Sequence, residues 1–288
     1  MKNMGKSIRD KLYNIAQDQG VKYQHLLIRF FHERLLYRLS ISRYRKNFYL
    51  KGGALLYAFS TGKKSRYTLD IDFSLHQMQY DLETVARAMQ EICEITTNDA
   101  VQFLSQSMYA RFIRENNEYG GIRITIDAKL DTIRQRLQID VGYGDPASAN
   151  LSLINFPVLL EDFSQPFVFV YISEYVIAEK FHAMIELSEL NSRMKDFYDV
   201  HQLITSGNYD ETLLKQAIAT TFAARKTSFV PNHALFRQEF AADPHRNKMW
   251  QVFLDKIGQS EALPFFRVMK EIAAVLQPIW QSLDKPDK

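Results

Sequence analysis

The sequence predicts an α+β fold, with strands and flanking helices in its first half followed by a helical lobe. Three observations carry this expectation. Runs of β-branched and aromatic residues crowd between residues 47 and 141. The stretches before and after them repeat apolar residues at helical spacing. A hydrophobic share of 46% with 24% charged residues is enough to bury a core of the chain's own. A length of 288 residues suits one large domain or two lobes. The expected division is an α/β core with N-terminal helices over residues 1–165 and a helical lobe over residues 166–288.

Each element has its own signal. Residues 6–42 read as helical: apolar residues recur at helical spacing from Leu26 to Leu39, while Arg29, Glu33 and Arg34 are charged. Asn47-Phe48-Tyr49-Leu50 reads as a short strand leading into a turn at Gly52-Gly53, and residues 54–59 return to helix formers. Residues 68–75 read as a strand. Residues 82–95 read as a helix with Leu82, Val85, Ala86, Met89, Ile92 and Cys93 on one side. Residues 103–113, 122–128 and 137–141 follow as strands, and Arg123-Ile124-Thr125-Ile126-Asp127 alternates as a half-buried strand does. Asn116-Asn117 and Gly120-Gly121 mark a turn, and Gly142-Tyr143-Gly144-Asp145-Pro146 closes the third of these strands. From Val170 the pattern becomes helical, with Ile172, Tyr175, Val176, Phe181, Met184, Ile185 and Leu187 as one stripe. A second helix is expected from Ser192, as N-cap, to Thr205, where Ser206-Gly207-Asn208 stops it. Two or three more helices are expected before a charged, frayed tail at residues 284–288.

Composition excludes several classes. No run approaches the roughly 18 apolar residues of a membrane helix. The opening Met1-Lys2-Asn3-Met4-Gly5-Lys6 leads into an amphipathic pattern, which argues against a secretory signal. A single cysteine, Cys93, allows no internal disulfide and reads as a buried small hydrophobe in a reducing, cytoplasmic protein. The seven histidines lack zinc-like spacing, and His182 and His201 read as packing residues. Neither a P-loop nor a Gly-x-Ser-x-Gly elbow is present. The net charge of +3 is mild. Locally, however, Arg43, Arg45, Lys46, Lys51, Lys63, Lys64 and Arg66 flank the glycine turn, as a solvated surface or as neighbours for phosphate.

The chemistry centres on Lys51-Gly52-Gly53 and on Asp70-Ile71-Asp72. Glycines let backbone come close to phosphate. Carboxylates at i and i+2 on a strand share a face, and Ile71 and Phe73 should bury the other. Phosphoryl or nucleotidyl transfer needs hard oxygen ligands for magnesium, and Asp140, in Gln138-Ile139-Asp140-Val141, is the candidate third acid from an adjacent strand. A second cluster comprises Lys180, Arg193, Lys195, Asp196 and Asp199. Its bland reading is a set of surface salt bridges. The interleaved Phe197 and Tyr198 suggest instead a helix packed on several sides, where charge must be paired or used.

Five blocks taken together resemble the AbiEii/AbiGii-type nucleotidyltransferase toxins of the DNA polymerase β-like superfamily. They are residues 30–40, 50–53, 66–73, 138–145 and 193–199. Similarity continues at Arg225-Lys226-Thr227 and at residues 250–254. The resemblance implies a polymerase β-like core with a mixed or antiparallel sheet, followed by a helical lobe. It implies magnesium- or manganese-dependent transfer of a nucleotide from a nucleoside triphosphate to RNA, as at the 3′ end of tRNA. It also implies toxicity restrained by an antitoxin, in abortive infection and phage defence. By this resemblance Gly52 and Gly53 match the triphosphate turn, Asp70 and Asp72 the metal pair, and Asp140 the third acid. Lys180 with Asp196 or Asp199 matches the later basic and acidic motifs, and Lys51, Arg66 and Arg193 join the nucleotide-binding set. Gly53-Ala54 departs from the superfamily's Gly-Ser and lacks its hydroxyl; Lys51 and Arg66 are the expected compensation. Two rival readings share the fold: a non-catalytic RNA- or protein-binding module, and an enzyme that modifies protein hydroxyls.

Overall fold

In the computed structural model, residues 4–59, 66–113, 120–144, 151–259 and 262–284 are described. Two units divide the chain, Met1–Tyr171 and Ile172–Lys288. The first begins with α1 (Met4–Gln19) and α2 (Tyr23–Ile41) and continues through β1 (Phe48–Lys51), α3 (Gly52–Phe59), β2 (Asp70–Leu75) and α4 (Leu82–Glu94). Then come β3 (Val101–Ile113), β4 (Gly121–Leu130), β5 (Ile133–Tyr143), β6 (Leu151–Asn155) and β7 (Phe167–Tyr171).

The seven strands form one mixed sheet in the order β3-β4-β5-β2-β1-β7-β6. β2 runs parallel to β5 and β1 parallel to β7, while the other pairs are antiparallel. Ile71, Ile139 and Ile124 stand side by side across β2, β5 and β4, as do Phe73, Val141 and Ile122, and all six are fully buried. That face is the core side, with α4 against β3 and β4 and α2 against α4 and β7. Because side chains alternate along a strand, the opposite face carries Asp70, Asp72 and Asp140.

The second unit is helical: α5 (Ser173–Leu187), α6 (Met194–Ser206), α7 (Glu211–Ala224), α8 (Gln238–Ala242), α9 (Pro244–Ile257) and α10 (Phe265–Ser282). Its core is aromatic. Phe181 packs on Phe222 at 5.4 Å and Phe197 on Phe265 at 5.3 Å, while Trp250 and Trp280 are 2% exposed. Local chemistry sets the helix ends. The Asp81, Asp210 and Asp243 side chains each accept a backbone N–H at the start of α4, α7 and α9, and Gly207 closes α6 in the left-handed conformation at φ 69°.

Several sequence expectations need correction. The single helical run over residues 6–42 is two helices, separated where Gly20 turns left-handed at φ 63°. β6 and β7 were not anticipated. Phe167-Val168-Phe169-Val170-Tyr171 is an unbroken β-branched and aromatic run, the mark of a strand covered on both faces; the helical stripe after it masked the signal. α6 takes Arg193, not Ser192, as its N-cap, and the Asn191 side chain accepts the Arg193 N–H at 2.8 Å. Four helices, not two or three, follow α6 among the described residues. The expected turn at Asn116-Asn117, the residues Asp145-Pro146, Lys63 and Lys64, and the tail from residue 285 lie outside the described residues. No described helix is long and apolar enough to cross a membrane.

Candidate active site

β1 passes into α3 through Gly52 at φ 67°, a conformation that favours glycine. The second reason for glycine here is contact. A Cβ on Gly52 would overlap the Asp72 carboxylate and sit 2.7 Å from its Cγ; one on Gly53 would lie 2.7 Å from Thr68 Oγ1 and 3.3 Å from an Arg66 guanidinium nitrogen. The bend is therefore pressed against the start of β2. Buried Thr68 supports the acid pair: its hydroxyl donates to Asp70 Oδ1 at 2.6 Å, and its N–H donates to the Tyr57 hydroxyl at 3.2 Å.

Strand register then aligns the charged groups. Lys51 stands opposite Asp72, Asp72 beside Asp140, and Asp140 opposite Arg123, so one row crosses β1, β2, β5 and β4. Register partners point to the same face. Asp70 joins from two residues up β2. Each of the three acids offers a carboxylate oxygen within 4.8 Å of the others, and all three are half-buried. At that spacing, with an effective dielectric constant of ~20, like charges repel by roughly 3 kcal/mol per pair. Such a group of three is a candidate cation site.

Arg123 supplies part of that positive charge. It meets Asp140 as a fork, Nε to Oδ1 and Nη2 to Oδ2, each at 2.8 Å. Gln138 donates to the same Oδ2 at 3.2 Å. The Asp140 hydrogen bond, with the charges of Asp140, Asp70 and Asp72, pushes the Arg123 pKa above its ordinary value. Sequence reasoning missed Arg123. Its alternating strand was recognised, but only the β4–β5 register reveals Asp140 as its partner. His32 on α2 was missed too. It is buried, neither ring nitrogen has a hydrogen-bond partner, and burial lowers its pKa to about 4 against the pull of Asp70. It is thus neutral at pH 7.

Three hard carboxylate oxygens on a common face fit a divalent magnesium or manganese ion. Arg123 now engages both Asp140 oxygens, so a cation there would share or displace it.

The structure brings Lys51, Gly52, Gly53, Arg66, Asp70, Asp72 and Asp140 together within the first unit. Lys51 Nζ lies 5.7 Å from the Tyr171 ring centre, and Arg66 is buried beside Gly53. The rest of the basic run spreads out: Arg43 pairs with Glu91 at 2.7 Å, and Arg45 lies over Phe167.

Lys180, Arg193, Asp196 and Asp199 form a network of their own in the second unit. Lys180 Nζ sits 2.8 Å from Asp196 and 2.7 Å from Asp199, and Arg193 adds a contact to Asp196 at 2.8 Å. Burial alone would raise the Asp196 pKa, but Lys180 and Arg193 hold it below the usual carboxylate value. These are not surface pairs, since both aspartates are 1% exposed. His182 donates to, or accepts from, Thr227 at 2.7 Å, and His201 meets Glu271. Both are packed side chains. Cys93 is buried, and burial pushes its thiol up to about 12.

A sequence model of the family described as "Nucleotidyl transferase AbiEii toxin, Type IV TA system" matches residues 34–277. Two solved structures share the fold. One is a Helicobacter pylori protein provisionally described as a nucleotidyltransferase, at TM-score 0.54 and 15% identity, covering 93% of this chain and 100% of that one. The other is JHP933 from Helicobacter pylori, at TM-score 0.53 and 15% identity, covering 91% and 94%. No curated protein sequence matches.

Proposed function

The chain belongs to the AbiEii nucleotidyl transferase toxin family, and from that premise we propose that it is a metal-dependent nucleotidyltransferase that transfers a nucleotide from a nucleoside triphosphate to the 3′ end of an RNA, with tRNA as the acceptor. The observation that carries this is the meeting of Asp70, Asp72 and Asp140, with oxygens within 4.8 Å, against the bare Gly52 bend. A family of toxin–antitoxin systems implies an antitoxin partner. We extend this to a cytoplasmic toxin of phage defence.

In the proposed reaction the acceptor hydroxyl forms a bond to the α-phosphorus of the triphosphate. The bond to the β-phosphate oxygen breaks, and pyrophosphate leaves. Magnesium or manganese, held by Asp70, Asp72 and Asp140, would neutralise charge on the triphosphate. The backbone at Gly52 and Gly53 lets the phosphates approach α3 at its N-terminus, where N–H groups favour anions. Lys51 and Arg66 add fixed positive charge beside the bend, and this offsets the hydroxyl missing at Ala54. An Asp140 carboxylate oxygen accepts the proton of the attacking hydroxyl. In the second unit, we take Lys180 with Asp196 or Asp199 as the match to the family's later basic and acidic motifs, with Arg193 beside them. We assign Lys180 and Arg193 to nucleotide binding.

The test is incubation of purified protein with magnesium, labelled nucleoside triphosphates and total RNA. Label should appear at RNA 3′ ends, and Asp70→Ala should abolish it without unfolding the protein. Equal labelling by wild type and variant would refute the assignment.

A further inference from the structure

On the acid-bearing side of the sheet, β3, β4 and β5 continue well past the acids, and apart from Leu104, which stands beside Asp127, the side chains in the paired rows there are polar or aromatic. Moving away from the Asp72/Asp140 row, register places Tyr109 beside Thr125 and Thr125 beside Gln138. Next comes Asp127 opposite Arg136, then Lys129 opposite Arg134, while Arg111 stands beside Arg123 at the outer edge. The reverse side of the same strands is Ile122, Ile124, Ile126, Leu137 and Ile139, all fully buried. One face is therefore core, and the other is an open polar plane.

Past the acids the exposed charge on that plane is positive. Arg111, Lys129, Arg134 and Arg136 are exposed; Asp127 stands in register with Arg136, while Asp140 ends the row of Arg111 and Arg123. Asp127 is buried and braces two of them, with Arg134 Nε and Arg136 Nε each at 2.8 Å. Both arginine side chains are still more than 60% exposed. Tyr109 is on this face and 63% exposed. An exposed aromatic ring among arginines on a flat sheet suits a single-stranded nucleic acid: bases stack on the ring and phosphates meet the cations.

We infer that the open face of β3–β5, through Tyr109, Arg111, Lys129, Arg134 and Arg136, is the binding track for the single-stranded end of the nucleic-acid acceptor. This rests on the nucleotidyltransferase reading and specifies where the acceptor runs. From Asp140 to Arg134 is six residues along β5, about 20 Å at ~3.3 Å per residue. A stacked strand advances ~3.4 Å per nucleotide, so the track holds on the order of six nucleotides leading to the acids.

The experiment is fluorescence anisotropy of a labelled single-stranded RNA of about 12 nucleotides, in parallel with thermal stabilisation by ATP and magnesium. Tyr109→Ala and the double variant Arg111→Glu with Lys129→Glu are chosen because none of these residues braces Asp127, so the fold is spared. Tyr109→Ala should weaken RNA binding ~5–100-fold. The double variant should weaken it and lower the salt dependence by ~0.7 per lost phosphate contact. Both should keep the wild-type response to ATP and magnesium. Protein stabilised by ATP but indifferent to RNA overturns the track and leaves the site reading standing. Protein that binds RNA through these residues without responding to ATP supports the track and counts against the site reading. Equal binding of polyglutamate that survives Tyr109→Ala also overturns it, since it would mark a surface for an acidic polypeptide.

Discussion

The two units each gather aspartates, but they balance them differently. In the first, Asp70, Asp72 and Asp140 meet half-exposed, and Arg123 forks onto just one of them. In the second, Asp196 and Asp199 are sealed at 1% exposure, with Lys180 between them and Arg193 at the rim. The second set pairs two buried carboxylates with two cations. In the first, each acid is half-buried and offers a carboxylate oxygen within 4.8 Å of the other two. The contrast separates carboxylates that water and ions can reach in one unit from carboxylates sealed around a lysine in the other.

The strongest test breaks the first set. Asp70→Asn should cut nucleotide transfer roughly 10³-fold or more, equivalent to several kcal/mol. The melting temperature should change little, because the asparagine oxygen can still accept from the Thr68 hydroxyl. A matching fall in stability would mean the acids are structural. The converse test is Lys180→Met, which removes the cation between two buried carboxylates. It should cost ~3–5 kcal/mol by chemical denaturation, whereas Arg123→Met, beside half-buried Asp140, should cost about 1 kcal/mol or less. Similar losses for the two would erase the distinction.

Protonation offers a finer test. Glu33 on α2 accepts from Arg29 and from the Leu159 N–H, each at 3.0 Å, yet burial raises its pKa from 4.5 to about 7. The folded state therefore holds this proton more tightly than the unfolded one. The stability this gives is complete below pH 4.5 and is lost as pH rises towards 7. Glu33→Gln should thus gain on wild type in melts at pH 7.5, by on the order of 3 kcal/mol at most, and not at pH 4.5. An equal gain at both would discard this account. His182 in the second unit has the opposite sense. Burial, then Arg225, lowers its pKa from 6.5 to about 4, so its contribution is present above pH 6.5 and lost as pH falls towards 4. Gly52→Ala should cost at least about 1–2 kcal/mol of left-handed strain and lose stabilisation by ATP with magnesium, since the methyl overlaps Asp72. Unchanged ATP stabilisation would place the triphosphate elsewhere.

Much of the first site was legible residue by residue. Gly52-Gly53 and Asp70-x-Asp72 announce themselves because their meaning is local: a bare backbone bend, and two side chains forced to one face by strand periodicity. Asp140 could be nominated from alternation at a strand end, although nothing in the chain states that β5 lies parallel to β2 with Asp140 level with Asp72. Arg123, Thr68 and His32 escaped notice for the same reason. Their roles depend on which strand or helix lies beside them. β7 was different, because its aromatic and β-branched run was readable and was simply overshadowed by α5.

By itself the sequence nominated the groups proposed to carry the chemistry, and indicated where most helices and strands begin and end. Capping aspartates, glycine bends and apolar periodicity act within a turn or two of their own position, so they are written in neighbouring residues. The tertiary structure alone decided that Asp140 faces the acid pair with Arg123 on it, and that Lys180 is clamped between two aspartates. It also decided that one side of β3–β5 is left bare. Those outcomes depend on register between strands dozens of residues apart, and register is settled only when the apolar faces of the whole sheet meet their helices.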